Sequence, residues 1–174
     1  RELGAPHVHY KVCSTFDSSP RIGSIGRAID VGAKIFGGSF VPVVVGAPAL
    51  GRYALFGNLF ARMGIGSAGE NHRLDRHPAM SRHPITPADE SDLRLHLARQ
   101  TKKEIGLFDL LNLARPTTEA RAASASASSA SHPASNSRAS RLQLWCIAEG
   151  ASNPRRAVAM RVTWLSVLVV TPIS

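Results

Sequence analysis

The run Ser14-Thr15-Phe16-Asp17-Ser18-Ser19-Pro20 sets four hydroxyl side chains around a single carboxylate, between an apolar alternation and a glycine-spaced apolar repeat. Short hydroxyls hydrogen-bond polyhydroxylated ligands, and a carboxylate such as Asp17 accepts a proton from a ligand hydroxyl or orients it. The same residue types also serve as helix caps and turn formers. The residues of this loop leave both uses open.

A second cluster, residues 76–87 (RHPAMSRHPITP), carries Arg76, Arg82 and His83 toward Thr86. Cationic side chains beside a helix start suit an anion, and an ordinary surface loop ending in a good cap reads the same way. Two more patterns fail on context. Gly64-Ile65-Gly66-Ser67-Ala68-Gly69 matches the dinucleotide fingerprint literally, but the ENHRLDRHP that follows has no apolar helical period and reaches Pro78 at once, so it reads as a flexible loop. His72, His77 and His83 are spaced by five and six, which puts no two on one helical face, and Pro78 and Pro84 interrupt them. They read as solvated loop histidines, and no metal site is expected.

The elements that must position these residues follow from periodicity. Val8, Tyr10 and Val12 alternate with His9, Lys11 and Cys13, the period of a strand, with Cys13 read as a small buried hydrophobe. Ile22, Ile25, Gly26, Ile29, Ala33 and Phe36 then follow helical spacing, with Pro20 in the first turn and Gly37-Gly38 as the stop. The hydroxyl-rich loop therefore joins a strand end to a helix start, the edge where α/β sheets bind ligands. There, unpaired helix amides suit a carboxylate or phosphate. Residues 40–45 (FVPVVV) read as a buried strand to which Pro42 is a mild objection, and Gly57-Asn58 marks a hairpin within residues 51–63. Thr86 with Pro87 predicts a helix from there to about Gln100, followed by a short strand at Ile105–Phe108 and a helical stretch through Leu110, Leu111 and Ala114.

A chain of 174 residues supports one domain with a real core. It opens on Arg1 with no signal-peptide pattern, as a chain that starts inside a longer one would. Cys13 and Cys146 form no Cys-x-x-Cys pair, which fits a reducing, cytoplasmic setting. The net charge of +9 invites a nucleic-acid reading, but it is spread as 15 Lys+Arg against 10 Asp+Glu over residues 1–116 and 6 against 2 beyond. Without basic runs or interleaved aromatics, a nucleic-acid partner is not expected. Beyond Pro116 the composition shifts: 14 of the 21 residues from Thr117 to Ser137 are Ala or Ser, which offers little apolar surface to offset ordering entropy. Residues 162–173 (VTWLSVLVVTPI) are too short an apolar run to span a bilayer and read as a strand or an aggregation-prone tail, so no membrane partner is expected. The reading is an α/β domain at 1–116, a partial open, mostly parallel sheet with flanking helices, and a disordered or irregular tail at 117–174.

The runs HYKVCSTFDSSPRIGSIGRAID, VPVVVGAPALGRYALFGNLFAR, HRLDRHPAMSRHPITPADESDLRLHLARQT and IGLFDLLNLA, covering about residues 5 to 115, closely resemble the amino-terminal, sugar-binding domain of the four-carbon acid sugar kinase family. The resemblance implies a two-domain enzyme that moves the γ-phosphoryl of ATP, with Mg2+, to a hydroxyl of a sugar acid such as threonate, erythronate or an oxidised relative. It makes Ser14, Thr15, Asp17 and Ser18 candidates around the substrate, with Lys11, Arg82 and His83 as a polar rim and Asp17 as candidate base. Phosphoryl transfer is largely positioning and charge neutralisation, which suits such residues.

The chain also departs from that pattern. No Asp-Asp, Thr-Gly type strand end precedes Arg1, and no counterpart of the family's ATP-binding glycine-rich elements is present. No ATP is therefore expected on this chain alone. The expectation is the substrate part of a kinase, inactive by itself. A stand-alone sugar-acid-binding module, or one paired with a separate nucleotide-binding chain, is the alternative, and a basic nucleic-acid binder comes third. Past Pro116 the resemblance stops, and an Ala/Ser/Arg-rich stretch is what a GC-rich gene yields when read out of frame. The strand at residues 7–13 is expected to lack a neighbour on one side, an edge that invites association.

Overall fold

The computed structural model describes residues 8–36, 40–64, 68–120, 122, 141–146 and 167–170. The main elements are β1 (Val8–Lys11), α1 (Ile25–Phe36), β2 (Phe40–Val45), β3 (Arg52–Leu55), β4 (Asn58–Arg62), β5 (Asn71–Arg73), α2 (Leu93–Ala98), β6 (Ile105–Phe108), α3 (Leu110–Leu113), β7 (Arg141–Cys146) and β8 (Val167–Val170), and the strands form two sheets. The first sheet has the order β1-β8-β2-β7-β6 and the second β3-β4-β5.

The α/β class is as expected, but the strand directions differ from a mostly parallel sheet. Ladders β2-β7 and β6-β7 are parallel, whereas β1-β8, β2-β8, β3-β4 and β4-β5 are antiparallel. The reason is connectivity: β3 and β4 are joined by the two residues Phe56 and Gly57, which only antiparallel pairing allows, and β8 enters the first sheet reversed. Because β8 is antiparallel to both neighbours, β1 and β2 still run the same way. Lys11 of β1 and Val44 of β2 both pair with Val167, so the carboxyl ends of these two strands reach one edge of the sheet at the same level.

Pro42 lies within β2, opposite Gln143 in the ladder with β7, while the ladder with β8 pairs Val43 and Val44 and stops short of it. Among the described residues β1 pairs with β8 alone, the edge position that the sequence suggested. Beyond residue 122 the described residues are β7 and β8, the latter inside the apolar run at 162–173. The remainder of the expected tail, and the proposed Gly37-Gly38 stop after α1, lie outside the described residues.

Other predicted boundaries shift. Helix α1 begins at Ile25, not at Pro20, and Ile22 is exposed in the preceding bend. Its cap is Ser24, whose Oγ accepts from Arg27 N–H at 3.1 Å. The hairpin turns on Phe56-Gly57, both at positive φ (50° and 89°), one residue earlier than expected. Helix α2 starts at Leu93, where Asp92 caps it by accepting from Arg94 N–H, so Thr86 and Pro87 are not its first turn. The continuous core joins Val12, Phe16, Ile25 and Ile29 to Val41, Val43 and Val45 of β2, to Ala54, Leu59 and Ala61 of the hairpin, and to Leu93 and Leu97 of α2. Residue 26 must be glycine, since a Cβ there would lie 2.6 Å from the Gln100 carbonyl carbon.

Candidate functional site

The hydroxyl-rich loop leaves β1 through buried Val12 and reverses on itself, with Phe16 N–H donating to the Cys13 carbonyl at 3.0 Å. Phe16 makes this turn at φ 55°, a conformation a bulky residue rarely adopts and one that costs on the order of 1–3 kcal/mol. The side chain, 2% exposed, is anchored in the core, and its burial offsets that strain. The reversal brings Asp17 and Ser18 back toward α2.

Ser18 is then latched. Its Oγ lies 2.9 Å from the Phe16 carbonyl and 2.8 Å from His96 Nε2, and it accepts from Gln100 Nε2 at 2.9 Å. Gln100 Nε2 also lies 3.0 Å from His96 Nε2, while Gln100 Oε1 accepts from Gly26 N–H at 3.2 Å and from Ser24 Oγ at 3.4 Å. The single Ser18 hydroxyl proton goes to the Phe16 carbonyl or to His96 Nε2; with Nε2 unprotonated, His96 accepts from Gln100, and its other N–H is left for the Phe16 backbone. Burial holds the His96 pKa below the ordinary histidine value, helped by Arg99 and opposed by Asp89, Phe16 and Glu90. The network ties the loop, the start of α1 and the end of α2 together. It also fills the Gly26 and Arg27 amides, so the start of α1 is not the open anion cradle that the strand-loop-helix pattern suggested.

Asp17 is placed differently from its neighbours. Its Oδ2 accepts from the Cys13 thiol at 2.9 Å, and Cys13 Sγ lies 3.1 Å from Thr15 Oγ1. Cys13 is thus exposed and polar in its contacts, not the buried hydrophobe expected, because β1 ends at Lys11 and the turn carries it off the sheet. Asp17 Oδ1 is buried without a hydrogen-bond partner. The residue stands between two hollows. One is a cavity of about 10 Å³, lined among others by Thr15, Ser18, Thr86, Glu90 and His96. The other is a groove of about 660 Å³ between β1 and α1, whose lining includes Lys11, Cys13, Ser24 and Arg27. Ser14 is half-buried on the loop between them.

Arg52, which follows the carboxyl end of β2, escaped the sequence reading. It is only 8% exposed. Its Nη1 donates to the carbonyls of Leu50 (2.9 Å), Gly51 (3.2 Å) and Arg62 (3.4 Å), and its Nε is buried without a partner. Burial lowers its pKa, while the nearby Cys13 and Asp17 oppose that shift. The signal was the alternation of β3, which puts Arg52 in phase with buried Ala54.

The second cluster is largely satisfied by itself. His83 Nδ1 accepts from Thr86 N–H at 3.1 Å and lies 3.0 Å from Thr86 Oγ1. His77 Nδ1 accepts from the Ala79 and Met80 amides, both at 3.2 Å. His77 is buried, not solvated, and its pKa is lowered by burial. Arg82 is exposed. Of this cluster only Thr86 and Pro87 line the cavity beside Asp17, and Arg82 and His83 do not.

Among the described residues, the 64–69 run does not form the cradle that the dinucleotide fingerprint requires. Gly64 turns at φ 73°, and the next element after the 64–69 run is strand β5, not a helix with amides facing a pyrophosphate. Among the described residues no group of three or more His, Cys, Asp or Glu could hold a metal ion. No helix among them is long and apolar enough to cross a membrane.

The polar loop lies at the carboxyl edge of an α/β sheet, and its carboxylate, one oxygen of which has no hydrogen-bond partner, lines both hollows. The family described as sugar-binding N-terminal domain matches residues 1–142, and the chain belongs to it. Over 111 residues the chain is 62% identical to the 3-oxo-isoapionate kinase of Paraburkholderia graminis, covering 64% of this chain and 23% of that protein. Over 115 residues it is 36% identical to the 3-oxo-tetronate kinase of Methylobacterium radiotolerans, covering 66% and 25%. A crystal structure from Salmonella typhimurium LT2, which carries the provisional label of a tRNA synthase, superposes with a TM-score of 0.68 at 25% identity, over 84% of this chain and 30% of that one. The chain spans about a quarter of the length of the curated relatives it matches.

Proposed function

We propose that the chain is the substrate-holding part of an ATP-dependent kinase for small sugar acids of the 3-oxo-tetronate or 3-oxo-isoapionate kind, with threonate and erythronate as simpler analogues. The observation that carries this reading is Asp17: a carboxylate whose Oδ1 is buried without a donor, on a strained and latched loop, in a domain whose relatives phosphorylate such acids. A sugar hydroxyl is the donor that Oδ1 lacks, and accepting its proton is what the acceptor side of phosphoryl transfer needs. Thr15 and Ser14 lie on the same loop, Ser18 fixes that loop through His96 and Gln100, and Lys11 gives the groove side a cationic rim, whereas Arg82 and His83 line neither hollow.

On this reading ATP and Mg2+ are held by another part of a longer polypeptide or by a separate chain, and this chain alone does not turn over. A cytoplasmic setting suits a metabolic kinase of this kind.

Calorimetric titration of the 174-residue chain with erythronate, threonate and a 3-oxo-tetronate tests the binding part. Saturable binding of at least one acid, weakened at least tenfold by Asp17→Asn in a variant that keeps the wild-type melting temperature, supports it. Binding unchanged by Asp17→Asn removes Asp17 from the site, and no binding of any of the three acids overturns the sugar-acid reading.

A further inference from the structure

Two side-chain atoms among the described residues are buried without a hydrogen-bond partner, and they belong to opposite charges: Asp17 Oδ1 and Arg52 Nε. Their neighbourhood is shared. Asp17 is bonded to Cys13, just past the end of β1, and Arg52, which opens β3, is bridged to Ala47, just past the end of β2; the ends of β1 and β2 stand level across β8. The two charges interact, yet no ion pair among the described residues joins them.

Arg52, a residue 8% exposed whose side-chain hydrogen bonds go to neutral carbonyls and leave Nε without an acceptor, is incompletely compensated, and so is a carboxylate oxygen without a donor. If both residues served the fold alone, a direct bidentate pair would satisfy them at once, as Arg94 with Asp92 and Arg73 with Asp75 do elsewhere in the molecule. Their separate anchoring by Cys13 on one side and by three backbone carbonyls on the other keeps them apart. What both lack is complementary: Nε–H needs an acceptor oxygen, and Oδ1 needs a donor.

We propose that Arg52 is the acid-recognising residue of this site, its Nε–H taking an oxygen of the ligand carboxylate while Asp17 Oδ1 takes a neighbouring hydroxyl, so that the pair selects hydroxy acids over neutral polyols. The inference rests on the sugar-acid reading above and deepens it. A planar donor fork suits a carboxylate in a way that an ammonium does not.

The test compares erythronate with erythritol, the neutral polyol of equal length, by calorimetry on the full chain, with inorganic phosphate as an anion control. The expected result is an affinity for erythronate at least tenfold above that for erythritol, little response to phosphate, and a loss of most of that preference in Arg52→Lys and Arg52→Gln. Equal wild-type affinity for acid and polyol overturns the proposal whatever the variants do, and means that the two atoms are satisfied by water. A preference for the acid that survives in a folded Arg52→Lys or Arg52→Gln protein also overturns it, while leaving the sugar-acid reading intact. Failure to bind erythronate or any other acid overturns both.

Discussion

The loops at residues 13–18 and 76–87 contain similar materials, short polar side chains with a charged residue near a glycine- or proline-marked turn, and the sequence treats them as equivalent candidates. The structure treats them differently. In the second loop the polar groups largely satisfy one another: His83 takes both Thr86 donors, His77 takes the Ala79 and Met80 amides, and Ser81 Oγ donates to the His77 carbonyl at 2.8 Å. In the first, Ser18 is just as fully used, yet Asp17 keeps a buried oxygen free on a residue that stands between a cavity and a groove. Composition marks where polar groups gather. Whether any is left over for a ligand depends on who its neighbours are after folding.

The largest expected effect that would sharpen this contrast comes from the apolar anchors. Phe16→Ala should cost about 3–5 kcal/mol, as emptying a fully buried aromatic site does, whereas Met80→Ala, partly buried in the second loop, should cost about 1–2 kcal/mol. Urea unfolding of both variants checks the order, and equal costs would erase the distinction between a core-anchored and a surface loop. Next comes the latch: His96→Ala removes one hydrogen-bond partner from each of Ser18 and Gln100 and empties a buried position, and should cost about 2 kcal/mol. Gln100→Ala, which also frees the Gly26 amide, should match it within a factor of two.

Acid sensitivity should be shared by both loops. His96, on α2 and bonded to the first loop, and His77, in the second, have folded pKa values depressed by burial below the ordinary 6.5. The unfolded chain then binds more protons than the folded one just below that value, so stability is flat above about pH 6.5 and falls as the pH drops beneath it. Melting temperatures between pH 7.5 and 5 should show this decline, and a decline unaltered in His96→Gln would assign it to other groups. The smallest effect is expected at Arg82: exposed and screened, its replacement by Ala should move stability by less than about 0.5 kcal/mol and acid binding by less than about threefold. A tenfold loss of binding would promote the second loop to an equal partner.

Much of the architecture was legible because it rests on local periodicity. The alternation at residues 7–13, the apolar run FVPVVV and the strand at Ile105–Phe108 emerge as β1, β2 and β6. The helical repeat from Ile25 to Phe36 emerges as α1 with Ile25, Gly26, Ile29 and Ala33 buried. Helix starts were read less well, since Pro20 and Thr86 look like caps while Ser24 and Asp92 hold the actual first amides. A cap is chosen by which turn the core permits to begin, and that is a tertiary matter.

Strand direction was not legible at all: nothing in the apolar run at residues 162–173 says that β8 inserts reversed between β1 and β2. By itself the sequence determined the α/β class, the hydroxyl-rich loop after the first strand and the family resemblance, because each of these is written in residues close together along the chain. Only the tertiary structure decided that Ser18 is tied to His96 and Gln100, that Cys13 faces Asp17, and that Arg52 stands buried near both. Satisfaction of a buried polar atom depends on contacts between distant segments, and the chain order of amino acids does not record those contacts.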